Sequence, residues 1–256
     1  ETFPLGAVSI LIPFFLVAYN FKSRFIWINA LVLSLSITVT NGMAGLLASY
    51  KQFKPRMKFM NLTISTFLVF IFLIGIQKSY FPSAGLLYEI KNEQEFVKDF
   101  SKPLETIYQF FIVPIVPISK PEIIKYGSHY QLNFELPNLK EVSKLRLFFA
   151  ITWVLILLKG LFSSFSRGGD SFSKVLVAFL FFQFLLHSFW GSYPFIYSAH
   201  FTPILILIAG KGLLASGNKY RKYINFFIFL FFIIILLLNL IYLSEAFKIG
   251  SAKLLV

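Results

Sequence analysis

The sequence predicts an all-α, polytopic membrane bundle of about seven spans, with a small extracytoplasmic cap inserted between the third and fourth. Three observations carry that prediction. Hydrophobic residues make up 57% of the chain, with 34 Phe, and only 14% of residues are charged; soluble domains average about half apolar and about a quarter charged. Apolar runs recur at lengths suited to a hydrocarbon core about 30 Å thick, at about 1.5 Å per helical residue. The chain carries a net charge of +13, with Lys and Arg clustered in short connections between those runs, the mark of cytoplasmic loops.

In chain order the runs cover residues 5–19, 25–50, 59–76, 147–163, 174–190, 201–216 and 224–243. The first and sixth are short. The second exceeds what a bilayer needs and carries Thr38, Thr40, Asn41 and Gly42, so it is predicted to tilt or break there. This divides the chain into 1–76 with three spans, 77–146 as an outer segment, and 147–256 with four spans. Alternating connections put Lys51, Lys54, Arg56, Lys58, Arg167, Lys174, Lys219, Arg221 and Lys222 on one face, which the positive-inside bias makes cytoplasmic. Lys22, Arg24, the long 77–146 segment, the 187–200 connector and Lys248 and Lys253 fall on the other.

The long segment has nearly balanced charge and reads as a folded cap rather than a lipid tether. Residues 88–111 mix charged and apolar positions at helical spacing, and 129–136 alternate as an exposed strand does. Residues 110–118 are apolar but broken by Pro114 and Pro117, too short to span and suited to the interface or to packing under the cap. Glu89, Glu93, Glu95, Asp99 and Glu105 all belong to this segment, as the solvated side of a helix. Two spans separate the segment from the 187–200 connector, so the two share a side and the cap can fold over it.

That connector holds His187, Trp190, Tyr193, Tyr197 and His200 without a charge. Trp and Tyr are at home at a membrane interface, and anchoring alone would account for them. The chemical reading is a mouth in which the imidazoles bind a phosphate or a sugar hydroxyl, or move a proton. Two histidines with no neighbouring carboxylate fall short of the three protein ligands that catalytic zinc takes, so no metal site is assigned. Within the runs, Asn29, Thr38, Thr40, Asn41 and Gln183 either line a cavity or hydrogen-bond between packed helices. Ala209, Gly210, Gly212 and Ala215 suit close helix contact, and Lys159 and Lys211 can snorkel to the surface. Asn61-Leu62-Thr63 lies inside an apolar run, and Ser166 to Asp170 reads as a turn. The lack of cysteine excludes disulfides and thiol chemistry, and no nucleic-acid motif accompanies the basic charge. The chain starts at Glu1 and enters an apolar run without a basic leader, which reads as part of a longer protein rather than a signal peptide.

Three stretches together carry a family resemblance: Thr38-Val39-Thr40-Asn41-Gly42, Gln77-Lys78-Ser79-Tyr80-Phe81-Pro82-Ser83-Ala84-Gly85, and Phe195-Ile196-Tyr197-Ser198-Ala199-His200-Phe201-Thr202-Pro203. They resemble the carboxy-terminal half of bacterial multi-pass glycosyltransferases of the GT-C superfamily. The resemblance implies a plasma-membrane enzyme that moves a sugar from a polyprenyl-phosphate carrier to a glycan, lipid or protein acceptor on the extracytoplasmic side. It places the catalytic carboxylate, which acts as base or orients a divalent metal, in an outer loop with no counterpart in this chain, so the chain alone is expected to be inactive. It points to Lys78, Tyr80, His187, Trp190, Tyr193, Tyr197 and His200 as carrier and acceptor contacts. The other readings are half of a transporter or flippase, with Asn41 and Gln183 along the pathway, and a membrane scaffold whose cap binds another protein.

Overall fold

The structure, a computed structural model, describes residues 3–54, 56–83, 103–118, 121–126, 129–132, 137, 142–166, 170–189, 198–214 and 221–254. Nine helices and one two-stranded hairpin are defined among them: α1 (Phe3–Ala18), α2 (Arg24–Ile37), α3 (Val39–Gln52), α4 (Arg56–Tyr80), α5 (Pro103–Phe111), β1 (Ile123–Tyr126), β2 (His129–Leu132), α6 (Lys144–Phe165), α7 (Ser171–Phe189), α8 (Ser198–Leu214) and α9 (Arg221–Leu254). Helices α4, α6 and α7 and residues Phe226–Ser251 of α9 are long and apolar enough to cross a membrane, whereas α1, α2 and α8 are shorter apolar helices. The chain therefore reads as a multi-pass membrane protein. It divides into two compact units: α1–α4 with α7 and residues 199–204, and α5, β1–β2 and α6 with the rest of α8 and α9.

In the first unit the structure corrects the reading of 25–50 as one crossing. The break falls where the sequence placed it, at Thr38, whose extended backbone (φ −154°, ψ 149°) ends α2 while its hydroxyl accepts the Asn41 N–H at 3.0 Å and so caps α3. The chain then folds back on itself. Gly42 sits against the Leu35 side chain, and a Cβ on Gly45 would lie 2.5 Å from Leu31 Cδ2. At the open end of this hairpin the Trp27 and Phe53 rings meet edge-on at 5.6 Å. Small residues along α3, including the fully buried Ala44 and Ala48, let the two backbones approach closely.

Helix α1 lies beside both. The 19–23 turn, with Asn20 in the left-handed region at φ 55°, is tied down by Gln52 Nε2, which donates to Asn20 Oδ1 at 2.9 Å and to the Phe21 carbonyl at 3.0 Å. That bond also corrects the side of Lys22 and Arg24. They lie at the same end of the unit as Lys51, Lys54 and Arg56, because α2 goes away and α3 returns. Helix α7 adds Lys174 to this basic end, since Phe14 near the end of α1 packs on Phe172 and Phe179 near the start of α7. One basic end satisfies the positive-inside bias better than the alternation read from the sequence. With 16, 14 and 14 residues, α1 to α3 are each roughly 21–24 Å long, short of a hydrocarbon core.

Single cysteines in this cysteine-free chain report the arrangement. Lys22→Cys and Lys54→Cys are expected to react with a membrane-impermeant maleimide from one side of sealed vesicles, and Ser79→Cys from the other. Labelling of Lys22→Cys from the Ser79 side would restore the single crossing.

In the second unit α6 is the organising helix. Its buried stripe includes Arg146, Phe149, Trp153, Leu157 and Gly160; Phe149 packs on Phe231 of α9 with ring centres 5.5 Å apart. Gly160 and Gly212 of α8 meet backbone to backbone, beside Ile208 and Ala209. Of the small residues singled out in α8, Ala209 and Gly212 make this crossing, Gly210 has no neighbour within 4 Å of a Cβ, and Ala215 lies outside the described residues. Of the outer segment, the described parts include α5, the 112–118 stretch and a β1–β2 hairpin with Ile123 opposite Leu132 and Tyr126 opposite His129. Residues 88–102 and 133–136 lie outside them.

Candidate functional site

A buried polar layer lies in the first unit at the end opposite the basic connections. It starts in α1, where the Ser9 hydroxyl donates to the Gly6 carbonyl at 2.8 Å. Asn41, in the first turn of α3, donates through Nδ2 to Ser9 Oγ at 3.0 Å and to the Gly6 carbonyl at 3.3 Å. From α2 the Ser34 hydroxyl donates to the Ser9 carbonyl at 2.7 Å and to its own Ala30 carbonyl at 2.9 Å. Ser9, Ser34 and Asn41 are all fully buried. In an apolar surrounding such bonds replace water that the helices cannot reach, so this triad joins α1, α2 and α3 at one level.

Two histidines close the layer. His200, in the first turn of α8 and outside the four long apolar segments, packs its ring on Gly6, where a Cβ would stand 2.5 Å from Nε2. A larger residue at position 6 would have to displace the imidazole, which occupies the side-chain space. Burial pushes the His200 imidazole below its usual value near 6.5 by desolvation, so the ring is neutral at pH 7. His187, in the last turn of α7, lies with its ring centre 5.8 Å from that of Phe201. The structure thus sets His187 against Phe201, the residue after His200, with both histidines buried rather than at an open surface.

Gln183 stands one turn before His187 on the same buried stripe of α7. It is fully buried, and neither amide atom meets a hydrogen-bond partner; Asn41 Oδ1 is likewise unbonded. Lys78 and Tyr80 occupy the last turns of α4, which packs mainly on α2, with Tyr80 exposed. Trp190, Tyr193 and Tyr197 lie outside the described residues. Of the other polar residues read within the runs, Asn29 donates to the Phe25 carbonyl of its own helix and Thr40 meets Thr38 at 2.9 Å, both local roles.

Sequence reasoning missed Gly6, Ser9 and Ser34. The Gly6-x-x-Ser9 pair in the first apolar run was the available signal, since small and hydroxylated residues one turn apart mark a face where helices meet. It also took Arg146 as the edge of the outer segment, whereas the residue is buried, donates to the Pro117 carbonyl at 3.4 Å and lies 5.4 Å from the centre of the Tyr242 ring. Among the described residues no three His, Asp or Glu side chains gather as a metal site. These side chains do not fit the divalent ion that the resemblance would allow. Comparison with protein-family models, curated proteins and solved structures finds no match for this chain.

Proposed function

We propose that this chain is the membrane portion of a glycosyltransferase that takes a sugar from a polyprenyl-phosphate carrier at the end of the bundle opposite its basic connections, the extracytoplasmic side of a bacterial plasma membrane. One observation carries the reading. The polar layer of Ser9, Asn41, Gln183, His187 and His200 is buried among apolar helices at the end of the unit opposite its basic connections, with His187 in the last turn of α7 and His200 in the first turn of α8.

A donor with an isoprenoid tail and a polar head suits that placement. The tail stays among apolar helices while the head meets hydrogen-bonding groups in a partly dehydrated site. In the transfer the acceptor oxygen bonds to the anomeric carbon as the bond from that carbon to the carrier phosphate breaks, and the acceptor proton leaves to a base. The resemblance assigns that base to a carboxylate with no counterpart here. This chain would contribute positioning: His200 and His187 as hydrogen-bond partners, Lys78 as the cation nearest the far surface on α4, and Trp190, Tyr193 and Tyr197 as stacking surfaces for a sugar ring or the first isoprene units.

In the protein expressed from its complete coding sequence, His200→Ala combined with Tyr197→Ala is expected to lower carrier-dependent sugar release at least about tenfold, a loss of about 1.4 kcal/mol of transition-state stabilisation, with the amount of folded protein unchanged. Unaltered release would remove the assignment. A second reading, half of a transporter, is favoured by the fold-back at Thr38 and the unbonded Asn41 Oδ1 and Gln183 amide, since broken helices and intramembrane polar groups commonly line transport pathways. Substrate flux across liposomes without sugar release would select it.

A further inference from the structure

The geometry points to Asn41 and Gln183, set against the Gly6–Ser9 turn, as an intramembrane binding layer for a neutral, polyhydroxylated group. The inference deepens the reading above by naming which part of a donor this layer would hold, the uncharged sugar rather than the phosphate. It concerns binding, so it can stand if transfer does not.

The placement follows from two contact pairs. Phe14 of α1 packs on Phe179 of α7 with ring centres 5.7 Å apart. Toward the far end His200 touches Gly6, and His187 touches Phe201, the residue after His200. Helix α7 therefore runs opposite to α1. Gln183 is four residues beyond Phe179 on the same stripe, about 6 Å along the axis, which sets it level with Ser9 and Ile10. Asn41 reaches that level from α3, its Nδ2 on Ser9 Oγ. The unbonded atoms are thus two amide oxygens and one amide nitrogen, all buried and all at the level of one polar turn.

The mixture of donor and acceptor selects the ligand. An anion would accept from the amide N–H groups and the hydroxyl but face two carbonyl oxygens, with no Lys or Arg among Ser9, Ser34, Asn41, Gln183, His187 and His200 to offset its desolvation. A metal cation would find carbonyls but no carboxylate. Vicinal hydroxyls both donate and accept, carry no charge and bring an apolar ring face, so a sugar meets each requirement. An apolar group would leave the amides unbonded in a spanning helix, where such groups are costly.

The test uses Thr40→Cys in the protein reconstituted in nanodiscs, labelled with a small polar maleimide; Val39→Cys serves if Thr40→Cys does not fold. Dodecyl maltoside below its micelle concentration is expected to slow labelling about tenfold once at roughly ten times its Kd, and dodecyl phosphate is expected to have no effect. Free maltose as a third probe separates sources: protection by maltose as well indicates a soluble sugar, and protection by the glycoside alone a lipid-linked one. Gln183→Leu is expected to abolish protection while leaving the melting temperature equal or higher, because it removes buried unbonded atoms. No protection by either sugar, equal protection by dodecyl phosphate, protection that survives Gln183→Leu, or a cysteine that never labels would each overturn the inference. Protection together with absent sugar release would leave the binding layer standing and remove only the transferase reading.

Discussion

Replacing Gly160 with leucine is expected to eliminate most folded protein, a loss of about 3 kcal/mol or more. The reason is which atoms meet. A Cβ at Gly160 would run into the Ile208 carbonyl and the Ala209 nitrogen, and one at Gly212 into the backbone of Gly160. Side chains can change rotamer to admit a methyl group, but two helix backbones in contact can only separate, and separation would open the packing around the fully buried Ile208 and Ala209. Even Gly160→Ala and Gly212→Ala should therefore destabilise. The controls are close at hand. Gly210, two residues from Gly212 on the same helix, and Gly75 of α4 have no neighbour within 4 Å of a Cβ, so alanine at either should be neutral or gain about 0.5–1 kcal/mol from helix propensity. An SDS titration of all four alanine variants gives the comparison. Equal behaviour of Gly210→Ala and Gly212→Ala would show that the α6–α8 crossing is looser than the structure has it.

The apolar helices were legible because a spanning helix is a local property: the runs at 59–76, 147–163, 174–190 and 224–243 reappear as α4, α6, α7 and part of α9, extended at their ends by residues the hydropathy pattern treats as connectors. The break at Thr38 was legible for a similar reason, since Thr-Val-Thr-Asn-Gly combines β-branched residues with two that favour helix ends. Its direction was not. Whether α3 continues or returns depends on Leu35 and Leu31 fitting over Gly42 and Gly45, and a glycine in the sequence does not say what approaches it. Lys22 and Arg24 were put on the wrong side by the same step, because counting crossings carries one error into every later loop. His187 and His200 could be paired from the sequence because a short connector leaves two helix ends little choice. The Gly6–His200 contact links the first and eighth helices, and nothing short of the tertiary fold announces it.

Trp153→Ala is expected to cost about 3–5 kcal/mol, the range for deleting a fully buried large aromatic side chain, and a companion variant separates its causes. Pro114 and Pro117 keep residues 112–118 from continuing α5, so carbonyls from Phe111 onward lack the partners a longer helix would supply. Three side chains from the neighbouring helices provide them: Trp153 Nε1 donates to the Phe111 carbonyl at 2.8 Å, Asn239 Nδ2 to that of Ile115 at 3.0 Å, and Arg146 to that of Pro117 at 3.4 Å. The stretch is otherwise held by apolar burial of Phe110, Val113, Ile115, Val116 and Ile118. Trp153→Phe keeps most of the ring volume and removes the donor, so it should cost about 1–3 kcal/mol, the range for leaving one buried acceptor unbonded. If Trp153→Phe matches Trp153→Ala, the hydrogen bond rather than the ring holds the segment. If both variants unfold with the parent protein, the stretch is not seated on α6. The intermediate result, a clear step from phenylalanine to alanine, is expected because a single hydrogen bond cannot replace the packing of the largest buried side chain on α6.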